Sequence, residues 1–363
     1  MQRCAQILGL TLLALAAHAQ EGEPLIPFVP TADNPQIVVR VLVLNYDPFV
    51  PSEGGRRLHE VLGFNDPRVL ADGYQRWLEW ASGGAVRFII EEWRDLNQIY
   101  AQQDGYRYEA EEYVRLRRSA NPEWHDGGGM DYPRLLAEQG VPARIDTPAD
   151  SGQRIDEVWI FGDHCFGLWE ASMAGPGAFF INGGVYPEVP TQRPFAFYGF
   201  NYERGVTEML HNTGHRTECH LNRVFGAWNL ADPRNDWELF SANAHQSNGH
   251  AGVGTCHYPA NGQSDYDYTN PREVQSWAFD FINYPRLVCR DRTSGRQLVT
   301  AQTWTVTNAA GRPDPGLGYQ AWYFSLLPRA AGTGADGRQN NWWKYIYDYT
   351  SYDEHGQPLP AAP

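Results

Sequence analysis

Residues 203–220 read Glu203-Arg204-Gly205-Val206-Thr207-Glu208-Met209-Leu210-His211-Asn212-Thr213-Gly214-His215-Arg216-Thr217-Glu218-Cys219-His220. On a helix each residue advances by about 100°, so residues three or four apart share a face. Glu208, His211, His215, Glu218 and Cys219 then fall within about one third of the circumference. Two imidazoles at i and i+4 aim at one spot, the geometry by which a single helix grips a transition metal. A carboxylate one turn to either side can be a third ligand, hold an imidazole N–H, or carry a proton. We therefore expect His211, His215 and Glu218 as metal ligands, with Glu208 and Glu218 as the catalytic carboxylates. The competing account is a buried network in which each His is satisfied by a Glu. Gly214 bears on the choice, because Gly inside a helix costs about 1 kcal/mol relative to Ala. A helix ending at Asn212-Thr213-Gly214 would scatter the stripe.

Upstream, Gln36 to Tyr46 is a β-branched run that reads as a buried strand. Asp66-Pro67 opens a helix with Leu70, Tyr74, Trp77, Leu78 and Ala81 on one face, and Gly83-Gly84 stops it. Ala85 to Trp93 follows as a second strand, and strand–helix–strand is the unit of an α/β layer. An amphipathic helix is expected around Tyr108 to Arg118. A third strand is expected at Ile155 to Phe161 and a short fourth strand at Ala178 to Ile181. The helix with the stripe then runs from about Tyr202 to Asn222. The expected fold class is α/β (α+β): a mixed sheet with a long active-site helix over residues 37–224, then an irregular second half over 225–363. Short helices are expected there near 236–245, 272–283 and 319–327.

The 363 residues carry 29 Lys and Arg against 43 Asp and Glu, a formal charge of −14. That balance argues against a nucleic-acid partner, since phosphate binding is driven by Lys and Arg. A hydrophobic content of 42% excludes a disordered chain. Residues 1–19 read as a secretory signal: Arg3 at the start, an apolar run from Ile7 to Ala17, then Ala17-His18-Ala19 before Gln20. The run is about half the length a membrane span needs, so no membrane partner is expected. The expected destination is secreted or periplasmic. Residues 20–36 read as a Pro-rich lead-in. Removal of the signal takes Cys4 and leaves Cys165, Cys219, Cys256 and Cys289, an even set that predicts two disulfides in an exported chain.

Three other places carry chemistry. Asp163-His164-Cys165 follows the third strand, where α/β proteins often place site residues. It reads as a turn with a disulfide Cys, or as a source of a remote ligand in His164. The loop at 245–270 holds His245, His250, His257, Asp265 and Asp267. Its segment Asp265 to Asn270 offers oxygens at alternate positions, in the manner of a calcium loop without the EF-hand Gly and Glu. Glu91, Glu92 and Asp95 supply paired carboxylates of the kind glycoside hydrolysis uses. The 13 Trp and 20 Tyr supply flat surfaces for sugar rings.

His211-Asn212-Thr213-Gly214-His215 resembles the active-site helix of zincin metallopeptidases, whose pattern is His-Glu-x-x-His, often with Gly before the second His. The upstream order of strand, helix, strand, strand and edge strand is similar to the metzincin-like core. The resemblance covers about half the chain and implies a zincin-like fold with zinc. Asn212 stands where the family has its general-base Glu, and Leu221 where a metzincin has a third His. The implied activity is that of an exported metal-dependent hydrolase with a metal-bound water as nucleophile, acting on an extracellular polymer, a peptide bond foremost. The alternatives are a metal-independent glycan-active protein and a zincin-like structural protein without catalysis.

Overall fold

The computed structural model describes residues 24, 26–148, 151–307 and 311–360. The expected signal sequence lies outside the described residues. The β-branched run forms strand β1 (Ile37–Tyr46), buried without a break from Val41 onward. Such a continuous apolar run is what a strand covered on both faces requires. Helix α1 (Pro67–Ala81) starts where Pro67 predicts, with Asp66 accepting the Arg68 N–H at 2.8 Å. Its inner residues Leu70 and Tyr74 are buried. Strand β2 (Val86–Leu96) follows the Gly83-Gly84 stop. Main-chain bonds from Ile37 to Ala85 and from Asp47 to Leu96 run in the same chain order, so β1 and β2 are parallel.

Helix α2 (Ala110–Arg117) precedes β3 (Glu157–Gly162), β4 (Ala171–Ala174), β5 (Val185–Tyr186) and β6 (Phe195–Asn201). The six strands form one mostly parallel sheet in the order β2-β1-β3-β6-β4-β5. Val41 faces Glu157, and Glu157 faces Ala196, both in parallel register. Strand β4 runs antiparallel to β6, with Ala171 opposite Tyr198.

One expectation fails here and one strand goes unannounced, each for a physical reason. Ala178 to Ile181 is loop, and the antiparallel strand lies earlier, at Ala171–Ala174. Gly175 and Gly177 take positive φ just before the expected strand, which turns the chain out of the sheet and leaves Phe180 exposed. Strand β6, Phe-Ala-Phe-Tyr-Gly-Phe-Asn, gave no signal of its own. It is buried on both faces, so it shows none of the alternation that betrays a half-exposed strand.

The chain divides into two compact units. Val38–Gln75 with Phe88–Asn212 makes one, whose core centres on Trp159 packed by Tyr74, Phe88 and Phe200. The chain up to Ile37, Arg76–Arg87 and Thr213 onward makes the other, with Trp237, Phe240, Phe281, Tyr323 and Trp342 in mutual ring contact. Helix α3 (Val206–Phe225) runs unbroken through Gly214. Helix α4 (Asp236–Ser241) and helix α5 (Pro315–Ser325) occupy two of the three later helical expectations. The third is a strand at Val274–Ser276 followed by a 3-10 turn at Ala278–Asn283. The lead-in is built into its unit: Phe28 donates to the Gly83 carbonyl, and buried Arg329 donates to the carbonyls of Ile26 and Ala81.

The expected disulfides do not form. Cys165, Cys219, Cys256 and Cys289 are all thiols, each held in a different local setting. Cys165 sits in a turn, Cys219 on a helix, Cys256 in a loop, and Cys289 donates its N–H to Asp280. Among the described residues no helix is long and apolar enough to cross a membrane.

Candidate metal centre

Because α3 is continuous, His211 and His215 lie one turn apart on the same face, as their spacing predicts. Gly214 has a reason for being there. A Cβ at that position would stand 2.5 Å from the Cβ of Cys256, so only Gly lets the 253–258 segment close on the helix. That segment is pinned from several sides. The Tyr319 hydroxyl reaches the carbonyls of Val253, Thr255 and Tyr258 at 3.2, 2.7 and 3.2 Å. Gln320 and Tyr268 donate to the Cys256 carbonyl at 2.8 and 2.6 Å. Gly254, at φ +106°, makes the bend, and a Cβ there would stand 2.2 Å from the Tyr258 carbonyl oxygen.

The result is a convergence of donors. Ligand atoms of His211, His215, Cys256 and His257 all lie within 4.8 Å of one another. Nε2 of His215 and Nε2 of His257 are 3.0 Å apart. Sγ of Cys256 is 3.6 Å from Nδ1 of His215. In a tetrahedral shell with metal–nitrogen bonds of about 2.0 Å and metal–sulfur bonds of about 2.3 Å, neighbouring donors stand about 3.3–3.6 Å apart. The two Nε2 atoms stand near that separation, Cys256 faces the other nitrogen of His215, and all four residues keep a donor within 4.8 Å of the others.

The surroundings of His257 and His215 suit a ligand role. Nδ1 of His257 lies 2.6 Å from the Asp265 carboxylate, and its Nε2 faces His215. Burial, reinforced by the neighbouring His257, pulls His215 down to about 4, so it is a neutral imidazole at pH 7. Glu218 is fully buried, and that burial raises its carboxyl to about 7, against the opposing bond from the Cys256 N–H at 2.6 Å. Its other oxygen is 3.8 Å from Nδ1 of His215. Burial likewise pushes the Cys219 thiol up to about 12.

No protein-family model, no curated protein and no solved structure matches this chain. The site is therefore read from its own chemistry. Imidazole and thiolate donors suit zinc and its transition-metal neighbours, whereas calcium and magnesium take oxygen.

Of the expected residues, His211 and His215 stand in the cluster, and Glu218 stands beside it, holding the loop that brings Cys256. Glu208 accepts the Gly205 N–H at 3.1 Å, closing the first turn of α3. Asn212 donates its amide to the carbonyls of Glu170 and Gly199 at 3.3 and 3.4 Å, and so ties the helix to the neighbouring strand segment. His164 belongs to a different group, with Asp163 and Cys165. In the candidate calcium segment, Asp265 serves His257, and Asp267 accepts from the Gln263 N–H and the Asn270 amide. Glu91 pairs with Arg40, Glu92 with Arg94 and Arg144, and Asp95 with Arg68, so that carboxylate run is neutralised by arginines. His245 stacks on Tyr258, and His250 packs against Trp277.

Sequence reasoning missed Cys256 as a donor, took His257 only as a member of a polar loop, and read Asp265 as part of a candidate calcium segment. A signal was present: adjacent Cys and His with an Asp eight residues on is a donor pair with its orienting carboxylate.

Proposed function

We propose that this chain is a zincin-like, exported metal-dependent hydrolase acting on an extracellular polymer, with a peptide bond as the foremost target. The observation that carries the reading is the convergence of His211, His215, His257 and Cys256, with Asp265 holding His257 from behind. The order of strand, helix, strand, strand, antiparallel strand and candidate metal-bearing helix is consistent with the family resemblance, with β5 and β6 inserted before the helix. A bound divalent transition metal would supply Lewis acidity and make a water acidic enough to react near neutral pH.

The chain's own residues divide the remaining work. His211, His215 and His257 would hold the metal. Asp265 keeps the Nδ1 proton of His257 in place, so its Nε2 stays available. Glu218, with its carboxyl near neutrality, can take and return one proton in the role that Asn212 cannot fill. Asn212 serves as a strut through its two carbonyl contacts.

A second reading is favoured by Cys256. Four protein donors complete a tetrahedral shell, which is the mark of a structural zinc site, whereas a catalytic one keeps a position open. Elemental analysis of the purified chain beside a His211→Ala/His215→Ala variant tests the common ground. One equivalent of transition metal lost in the variant supports the centre; its absence from the wild type refutes it. Cys256→Ala then separates the two readings. Retained metal with chelator-sensitive peptide hydrolysis supports the hydrolase, and loss of metal without any such activity in the wild type supports the structural site.

A further inference from the structure

A second group of reactive side chains lies wholly within the unit that holds Trp159. Three neighbouring parallel strands, β1, β3 and β6, end at Tyr46, Gly162 and Asn201. The residues that follow β3 are Asp163-His164-Cys165, and those that follow β6 are Tyr202-Glu203. The carboxyl edge of a parallel sheet is where α/β proteins assemble sites, because every strand delivers its next residues to the same rim.

The turn after β3 is held firmly. A Cβ on Gly162 would stand 2.5 Å from the ring of Phe166, so Gly there lets Phe166 fold back. That ring packs edge-on against Tyr113 and Tyr100, with centroids 4.9 and 5.5 Å away. Gly167 closes the turn at φ +78°, donating its N–H to the His164 carbonyl.

Within this turn the polar contacts form a directed chain. Asp163 is fully buried; one oxygen accepts the Cys165 N–H at 2.9 Å and lies 3.2 Å from Nδ1 of His164. Its other oxygen accepts from Nε of Arg117 at 3.2 Å. Glu203 Oε1 is 3.3 Å from the same Nδ1. On the far side of the ring, Nε2 of His164 is 3.3 Å from Sγ of Cys165. One nitrogen of the imidazole thus lies within ion-pair distance of two carboxylates, and the other faces a thiol. We propose that Cys165, His164 and Asp163, with Glu203, form a second catalytic site, in which the thiol attacks the acyl carbon of an ester.

The step balances with water alone. As Sγ bonds to the carbonyl carbon, its proton passes to Nε2 of His164. The carbon–oxygen bond of the ester then breaks, and the alcohol leaves with that proton. Water attacks the resulting thioester, gives one proton to His164 and releases the acid, and the proton returns to sulfur. Nucleophile, base and orienting carboxylate set side by side is the general form of such a site. Exposure fits the roles: the His164 side chain is 41% exposed, Glu203 16% and Asp163 none. Burial holds the Cys165 thiol above its ordinary range, so its proton must leave during attack, and His164 is positioned to take it. The same residues make a poor metal site. Asp163 is committed to Arg117 and the Cys165 N–H, and Nδ1 of His164 faces carboxylates, which leaves two donors where a tetrahedral metal takes four.

The test uses the full chain with p-nitrophenyl acetate and, separately, with iodoacetamide, mapping the modified cysteine by peptide mass spectrometry. Cys219 is the internal reference, being the other part-buried thiol among the described residues. Cys165 is expected to take the acetyl group in a nitrophenolate burst and to alkylate faster than Cys219. His164→Ala should slow both reactions at least tenfold, and Cys165→Ser should abolish the burst. Alkylation needs no fit to the ester, so it reports the activated thiol by itself. Cys165 reacting no faster than Cys219, or at the same rate in His164→Ala, overturns the proposal. So does an equivalent of zinc bound by the His211→Ala/His215→Ala variant and lost on adding Cys165→Ser.

Discussion

Gly214→Ala sets two effects of known size against each other. In an ordinary helix interior the substitution stabilises by about 0.8–1.0 kcal/mol, because Ala loses less backbone entropy on folding than Gly. Here the new methyl carbon would land 2.5 Å from the Cβ of Cys256. Nonbonded carbons rest about 3.5–4.0 Å apart, so helix and loop must separate by about 1 Å. The loop cannot yield freely, since Glu218, Gln320, Tyr268 and Tyr319 all hold its backbone. Overpacking of this kind costs about 1–3 kcal/mol. The expected balance is a net loss of up to about 2 kcal/mol in the metal-free protein, measured by urea unfolding so that metal linkage does not enter. The effect on the centre is sharper. Metal–ligand distances tolerate only about 0.2 Å, and a shift of about 1 Å would move Cys256 and His257 off His211 and His215. Competition against a chromophoric chelator should show at least a tenfold weaker affinity. A variant that gains the helix-propensity increment and binds metal as tightly as wild type would refute the claim that Gly214 exists to admit the loop.

Asp265→Ala should weaken metal binding by about 10–100-fold, the usual cost of losing a carboxylate behind a ligating His, in the same competition titration. Unfolding of the metal-free chain should change little, since the Asp265 side chain is half exposed. Asn212→Asp removes two donors and sets a carboxylate against the Glu170 and Gly199 carbonyls. Urea unfolding should show a loss of about 1–3 kcal/mol, with no gain in peptide hydrolysis; unchanged stability would sink the strut assignment. His220 is fully buried, and burial with the nearby Arg216 charge depresses it well below 6.5, although its bond to the Tyr345 carbonyl opposes the shift. It stays neutral in the folded chain while the unfolded chain takes up a proton below about pH 6.5, so its share of stability is present above that pH and lost as pH falls. His220→Asn, which keeps an N–H near the Nδ1 position, should remove about 1.4 kcal/mol per pH unit from the acid limb of the urea-unfolding profile below pH 6. Parallel profiles for the two proteins would refute it.

What the sequence determined by itself is local. The β-branched run of β1, the Asp66-Pro67 start and Gly83-Gly84 stop of α1, and the i, i+4 imidazoles of α3 are written in consecutive residues. Periodicity and capping act over one or two turns, so reading them needs no partner. The rest was decided in three dimensions. Strand β6 has no alternation because both of its faces are covered, and only the assembled sheet reveals it. Gly214 reads as a weakness in the helix until Cys256 is seen against it. Cys256 reads as a disulfide cysteine until the fold leaves it 3.6 Å from an imidazole some forty positions earlier in the chain. His211 and His215 supply half of the donor set from one turn of helix. Cys256 and His257 come from a loop whose approach depends on the absence of a methyl group at 214 and on one buried carboxylate, Glu218, holding its backbone. Coordination and nucleophile activation are fixed by distances of about 3 Å between atoms. When the residues are far apart in sequence, packing alone sets those distances.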